Sequence, residues 1–100
     1  MTTEIDAFLA ALPDGERAIA EALRQVIVPA LPGTLELVDS ANGVFGYSRD
    51  HTYRRMVCTV APHGGMVSVV FRDGSSIPVH RAEDAPGTAE AIASAGRATP

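Results

Sequence analysis

The sequence predicts a single α+β domain over residues 1–100, with N-terminal helices, an antiparallel sheet of four or five strands and a short C-terminal helix. Its length matches one domain, and a hydrophobic fraction of 46% with 20% charged residues is typical of a globular protein. The spacing of apolar residues changes from helical to alternating after Pro32-Gly33, which indicates a change from helix to strand. Tight-turn residues between the alternating segments favour an antiparallel meander.

Two helices are expected before the sheet. Thr3 can cap the first, because Asp6 follows three residues later in a capping-box-like arrangement, and Pro13 ends that helix. Its apolar face comprises Ile5, Phe8, Leu9 and Leu12. Asp14 is the expected N-cap of the second helix. Pro29 lies inside the apolar pattern of that helix, so we expect its last turn to be distorted or to end just before this proline.

Five later segments alternate as strands do. They cover residues 35–39, 44–48, 53–61, 66–71 and 77–79. Asn42-Gly43 is a hairpin-type turn between the first two, and residues 62–65 form the turn between the third and the fourth. Gly46 inside the second strand indicates a bulge or a close approach of the backbone. A short alanine-rich helix is expected over residues 88–95, ended by Gly96.

Alternation gives the expected sheet two unlike faces. One face is apolar, so it should bury the apolar stripe of the helix over residues 14–31. Its members in the third and fourth strands are Met56, Cys58, Val60, Val67, Val69 and Phe71. The other face mixes polar, aromatic and basic groups, among them Tyr53, Arg55 and Arg72. We therefore expect a ligand or partner to lie on this second face.

The candidate binding residues are Tyr47, Tyr53, Arg55 and Arg72. Two guanidinium groups and a tyrosine on one sheet face can hold a carboxylate or a phosphate through paired hydrogen bonds. The competing interpretation is ordinary ion pairing across strands, together with solvation. The carboxylates available for it are those of Asp39, Asp50 and Asp73. From these residues we expect a non-enzymatic binding or interaction module for a small anionic ligand or a protein partner.

Charge and composition narrow the partner classes. The net charge of −4 argues against general nucleic-acid binding, although residues 39–72 alone carry +2. No apolar run approaches the roughly 20 residues of a membrane-spanning helix, the N-terminus lacks a basic leader, and Cys58 is the single cysteine. We therefore expect a cytoplasmic protein without a nucleic-acid or membrane partner. Arginine as the only basic residue type and abundant alanine are typical of a GC-rich bacterial genome.

We expect a binding domain rather than an enzyme, because no catalytic or metal-binding motif in the sequence is specific. Cys58 alternates with apolar residues and is expected to be a buried core thiol. His51, His63 and His80 lack the spacing of metal ligands and are expected to be solvated. A thiol- or histidine-dependent enzyme stays open as an alternative, and we expect no metal and no cofactor. An exposed edge strand in so small a domain also favours a homodimer.

Three stretches of the chain carry a family likeness. They are Phe8 to Pro13 with the following helix up to Pro32-Gly33, Leu37 to Tyr47, and Ala61 to Gly74. Together they resemble the YdhG-like domains, a bacterial family of unknown function, over roughly residues 5–79. The resemblance implies an α+β fold with an antiparallel sheet flanked by helices.

The remaining residues, 80–100, depart from that family pattern. The family leads us to expect a glycine-rich segment, a basic helix and an arginine-histidine strand there, and most of the basic residues are missing. One branch of the family is associated with iron handling of a frataxin-like kind, so the resemblance implies an iron-binding chaperone as a further alternative. Oxygen ligands on the acidic helices suit such a role, although a solvated helix face predicts the same residues. The carboxylates concerned are Glu4, Asp6, Asp14, Glu16 and Glu21.

Overall fold

The computed structural model describes residues 3–100, in which one antiparallel sheet carries its helices on one side. The strands are β1 (Leu35–Asp39), β2 (Val44–Ser48), β3 (Met56–His63), β4 (Met66–Phe71) and β5 (Ser76–Val79), in that order across the sheet. The helices are α1 (Glu4–Ala10), α2 (Asp14–Ala30) and α3 (Ala89–Ala98), and short 3₁₀ segments cover Tyr53–Arg55 and Ala82–Thr88. Every strand is antiparallel to its neighbours. The predicted α+β class, with N-terminal helices and a short C-terminal helix, is confirmed.

The hydrophobic core lies between the sheet and the helices. Phe45 and Val60 are register partners across β2 and β3, so they point to the same face, and both are buried. Leu23 and Ile27 of α2 belong to the same buried cluster. The ring of Phe8 from α1 meets the ring of Phe45 edge-on, with 5.5 Å between the ring centroids. This sheet face, called the helix face below, is the apolar face that the alternation predicts for α2.

Side chains hold both ends of α1 and the start of α2. The Thr3 hydroxyl accepts a hydrogen bond from the Asp6 amide at 3.2 Å, which is the predicted N-cap. At the other end of α1, Arg17 donates to three main-chain oxygens, those of Leu9, Ala10 and Leu12. The expected cap at Asp14 is wrong, because α2 begins at Asp14 itself and Pro13 occupies the N-cap position. The Asp14 carboxylate pairs instead with Arg17 at 2.9 Å.

The helix α2 continues through Pro29 to Ala30 instead of ending before the proline. Pro29 is exposed and lies in the last turn, so only one backbone hydrogen bond is lost there. The amide of Leu31 still donates to the Ile27 oxygen at 2.9 Å, which closes the turn. Ile27 and Leu31 are both buried, and their burial outweighs the single lost bond.

The third strand begins later than predicted. The sequence predicts a strand over residues 53–61, but Tyr53–Arg55 forms a 3₁₀ turn and β3 then runs to His63. The Arg49 amide donates to the Arg55 oxygen at 3.0 Å, so the loop folds back on itself before the strand starts. The turn predicted over residues 62–65 is correspondingly shorter, and Gly64-Gly65, both with positive φ, alone connect β3 to β4.

A bulge between β2 and β3 changes which side chains share a face. Tyr47 pairs with Cys58, but the next residue, Ser48, pairs with Met56, which leaves Val57 as the extra residue. Val57 is buried in the core together with Cys58, whereas Met56 lies on the opposite face of the sheet. The predicted placement of Met56 beside Cys58 is therefore wrong, because one added residue reverses the alternation.

The C-terminal helix continues past its predicted end. Gly96 is expected to stop the helix, but it lies buried inside α3. A Cβ at Gly96 would collide with the Leu31 side chain, so this glycine allows α3 to approach the end of α2. Arg49 donates to the main-chain oxygens of Gly96 and Thr99, at 2.7 and 3.0 Å, and so holds the C-terminal end of α3. Since α3 packs beside α2, the other sheet face carries no α-helix from residues 3–100.

Candidate binding site on the open sheet face

The sheet face opposite the helices, called the open face below, is partly covered by the loop between β2 and β3. The Tyr53 hydroxyl donates to Asp39 Oδ2 at 2.7 Å, and Ser48 Oγ donates to the Thr52 main-chain oxygen at 2.8 Å. Ser48 and Met56 are buried on this face beside the loop. The loop therefore forms a wall on the open face, and the part of the face on β3 and β4 stays accessible.

Gly46 explains how Met56 comes to lie beneath that wall. A Cβ added to Gly46 would lie 2.8 Å from Met56 Sδ and 2.8 Å from the main-chain oxygen of Cys58. No side chain larger than hydrogen fits there, so the Met56 thioether lies flat across β2. The close approach that the sequence predicts at Gly46 is confirmed.

A shallow depression of about 350 Å³ lies between the loop wall and the end of β4. It is lined by Tyr53, Arg54, Met56, Cys58, Thr59, Val70, Phe71 and Arg72, of which Cys58 and Phe71 belong to the helix face. Thr59 and Val70 are register partners across β3 and β4, and both are half-buried. The depression therefore combines apolar contact from Met56 and Val70 with the hydroxyl groups of Thr59 and Tyr53, and Arg54 and Arg72 both border it.

Most arginines of the chain are already engaged in holding the fold. Six donate to carboxylates or main-chain oxygens: Arg17, Arg24, Arg49, Arg55, Arg81 and Arg97. Arg54 and Arg72 make no hydrogen bond and no ion pair with any of residues 3–100. The two arginines without a partner thus border the same depression.

Two of the four predicted binding residues meet at this depression. Tyr53 and Arg72 border it, as expected. Tyr47 instead lies on the helix face, is only 2% exposed, and donates its hydroxyl hydrogen to Glu36. Arg55 turns away from the depression and donates to the main-chain oxygen of Pro100 at 2.8 Å. The structure therefore does not bring Tyr47 or Arg55 together with Tyr53 and Arg72.

Arg54 borders the depression but is not one of the four binding residues predicted from the sequence. It belongs to the 3₁₀ turn, where alternation no longer decides which side chain points to which face. Arg55 forms one of the ion pairs that the competing interpretation predicts, because its guanidinium lies 3.6 Å from the Asp50 carboxylate. Both partners of that pair are partly exposed, so it contributes little to stability.

The hydrogen bond from Tyr53 to Asp39 holds the loop wall at neutral pH. Hydrogen bonds from the Asn42 and Tyr53 side chains lower the pKa of the Asp39 carboxyl, so this group is ionised. The same contact raises the pKa of Tyr53, which stays a neutral donor. The Asp39 carboxylate is thus engaged by two donors. At the other side of the depression, hydrogen bonds from Ser75 lower the pKa of Asp73 and occupy its carboxylate.

The other titratable groups that the sequence singles out lie elsewhere. Cys58 is buried, and burial raises the pKa of its thiol to about 12. His63 Nε2 lies 3.4 Å from Ser68 Oγ on the open face. Glu16 of α2 accepts a hydrogen bond from the Gly65 amide at 2.9 Å. Within residues 3–100, no three His, Cys, Asp or Glu side chains lie close enough together to hold a metal ion.

Comparison with protein-family models, with curated proteins and with solved structures found no match to this chain. Membership of the YdhG-like domains therefore stays a prediction from the sequence. None of the helices in residues 3–100 is both long and apolar enough to cross a membrane.

Proposed function

We propose that this chain is a non-enzymatic binding domain that takes an anionic ligand, or an acidic side chain of a partner, between Arg54 and Arg72. One observation carries the proposal. Six of the eight arginines are engaged within the fold, and the two that have no partner among residues 3–100 border the same depression. An anion that binds between two like charges lowers the repulsion between them.

The chemistry of the depression suits a carboxylate or a phosphate. Guanidinium groups present several N–H donors in a fixed plane and bind such oxyanions through paired hydrogen bonds. The hydroxyl of Thr59 adds a further donor, and Met56 and Val70 offer apolar contact to the body of a ligand. The carboxylates of Asp39 and Asp73 are engaged by their own donors and form no ion pair with either arginine.

The size of the depression fits a small ligand or a single acidic side chain. Its volume of about 350 Å³ is at the lower end of the roughly 300–1,000 Å³ typical of small-molecule sites. The depression is also open, so an occupant would keep much of its surface in water. We therefore expect modest affinity that falls as the salt concentration rises.

A variant lacking both arginines tests this proposal. Inorganic phosphate, citrate and a short polyglutamate peptide are titrated into the protein, and amide shifts by NMR give the affinities. The Arg54→Ala/Arg72→Ala variant should bind the best of these probes at least about tenfold more weakly, since each lost charge-assisted hydrogen bond is worth about 1.5–3 kcal/mol.

A matched control separates the site from the loss of net charge. Arg81→Ala/Arg97→Ala removes the same charge from exposed arginines that pair with Asp84 and Glu90 away from the depression. This control should bind as the wild type does. Equal weakening in both double variants, or no saturable binding of any probe to the wild type, would contradict the proposal.

The frataxin-like iron-binding role and the thiol- or histidine-dependent enzyme stay predictions from the sequence, and no contact within residues 3–100 adds support to either. Cytoplasmic location and pairing of two copies likewise remain proposals. The buried Cys58 thiol, whose pKa burial raises to about 12, favours a binding role over thiol chemistry.

A further inference from the structure

We propose that two copies of this chain pair through the outer edge of β1, antiparallel and centred on Leu37, so that the two sheets become one. The proposal goes beyond the anion site and concerns a different part of the fold. Three observations support it. The outer backbone groups of β1 are unpaired within residues 3–100, its two carboxylates are bound within their own chain, and two antiparallel copies of β1 pair without facing like charges.

The outer edge of β1 has backbone groups available for pairing. β1 is the first strand of the sheet and pairs only with β2. Its remaining amides and carbonyls make no hydrogen bond with any of residues 3–100. Such an edge invites a further strand. The opposite edge is different, because Pro78 in β5 has no amide hydrogen to donate.

The charged side chains of β1 do not guard this edge. Glu36 lies on the helix face, where Arg24 donates to it at 2.8 and 3.0 Å and the Tyr47 hydroxyl donates as well. Asp39 accepts hydrogen bonds from Asn42 and Tyr53. Exposed edge strands are commonly protected by free charges that repel a second strand, and both carboxylates here are bound within their own chain.

The five residues of β1 match their own sequence when two copies run antiparallel. Centring on Leu37 is the register that pairs all five residues, with Leu37 beside its counterpart, Glu36 beside Val38, and Leu35 beside Asp39. No two like charges are then opposite each other. A register centred on Glu36 would instead place two carboxylates side by side. The central register is therefore preferred.

The same register covers apolar surface that one copy leaves exposed. Leu35 and Leu37 share the open face, and Leu35 is 37% exposed. In the paired sheet the two Leu37 side chains meet across the junction, and each Leu35 lies diagonally next to Leu37 of the other copy. A second copy is thus a better occupant than an unrelated extended peptide, because it brings a leucine directly opposite Leu37.

Pairing would also place two anion sites on one surface. The two-fold axis of an antiparallel edge pairing is perpendicular to the sheet, so both open faces look to the same side. About six strand spacings would separate the two depressions, which is on the order of 30 Å. This consequence, unlike the pairing itself, rests on the proposed function.

Sedimentation equilibrium of the full chain tests the pairing directly. A five-residue strand pair buries less than the roughly 1,200 Å² of a standard interface, so we expect dissociation in the micromolar range or weaker and measurement up to millimolar protein. Leu37→Lys places two ammonium groups together on the axis and should raise the dissociation constant at least about tenfold. Ser76→Lys introduces the same charge on the β5 edge and should leave it unchanged.

Cross-linking gives a readout that does not depend on the stability of the lysine variant. In a Cys58→Ala background, Leu37→Cys should form a disulfide-linked dimer under mild oxidation, since facing antiparallel residues bring their Cβ atoms within reach of a disulfide. Ser76→Cys in the same background is the matched control.

A wild type that stays monomeric at all concentrations would overturn the pairing. So would a cross-link at Leu37→Cys no faster than at the control position, or a dimer that Leu37→Lys leaves intact. Neither experiment alters or measures the anion site, so failure here would leave the proposal for Arg54 and Arg72 untouched.

Discussion

Replacing Glu36 with alanine should destabilise the fold more than its place on an edge strand suggests. Its carboxylate accepts from the Tyr47 hydroxyl, whose side chain is only 2% exposed, and from two nitrogens of Arg24. Leaving the Tyr47 hydroxyl buried without a partner costs about 1–3 kcal/mol. The Arg24 side chain is 36% exposed, so its pair contributes no more than about 1 kcal/mol. The expected loss of unfolding free energy is about 1–4 kcal/mol.

A double-mutant cycle isolates the hydrogen bond between Glu36 and Tyr47. Urea unfolding at neutral pH, followed by far-UV circular dichroism, gives the free energies. Tyr47→Phe alone should cost about 1 kcal/mol, but once Glu36 is alanine it should cost nothing or restore up to about 1 kcal/mol, because it then removes a buried hydroxyl that has no partner. The expected coupling is about 1–2 kcal/mol. Glu90→Ala, which breaks an exposed pair with Arg97, is the control and should stay within about 0.5 kcal/mol of wild type.

Equal costs of Tyr47→Phe in the two backgrounds would contradict this hydrogen bond. Tyr47 would then lack one of the contacts that hold it on the helix face, away from Arg54 and Arg72.

Three further predictions concern pH, packing and thiol reactivity. Burial raises the pKa of Glu36, but hydrogen bonds from Arg24 and Tyr47 outweigh it and bring the pKa below its ordinary value of 4.5. The stability from this carboxylate is therefore present above that value and lost as pH falls through the folded pKa, so Glu36→Gln should flatten the acid limb of unfolding free energy against pH. Gly96→Ala should lower the unfolding free energy by about 1–2 kcal/mol, because the added Cβ would collide with Leu31. Gly15→Ala is the control: its Cβ meets no atom, so it should raise the unfolding free energy by up to about 1 kcal/mol. Thermal melts measure both variants. Iodoacetamide should label Cys58 far more slowly in the folded protein than in urea, since burial raises its pKa to about 12, and fast labelling of the folded protein would contradict the buried thiol.

Local patterns predicted most of the fold, because most of its elements are determined locally. The strands over residues 35–39, 44–48 and 66–71 lie where alternation and turn residues place them. Contacts distant in sequence decided the parts that differ. Glycine usually ends a helix, but Gly96 packs against Leu31 and α3 continues to Ala98. Pro29 likewise stays in α2, because burial on the other side of the helix outweighs one lost backbone bond.

Two of the four predicted binding residues, Tyr53 and Arg72, lie at the depression, and local breaks in the strand alternation explain why Arg55 does not. The basic loop before β3 and Arg72 after β4 are visible in the sequence, and so is Tyr53. The 3₁₀ turn and the bulge each break the alternation, so Arg54 replaces Arg55 at the depression. A signal for Tyr47 was present, because it alternates with Phe45 and so shares the face of a core residue.

The amide shifts that inorganic phosphate causes in the wild type locate the anion-binding surface residue by residue. Because Arg54 and Arg72 alone are left unpaired within residues 3–100, the largest shifts should fall on the loop around Tyr53, on Thr59 and on Arg72, and should saturate together. The helices α1 and α2 should stay unaffected. Shifts spread evenly over all eight arginines, or concentrated on the helix face, would contradict an anion site on the open face.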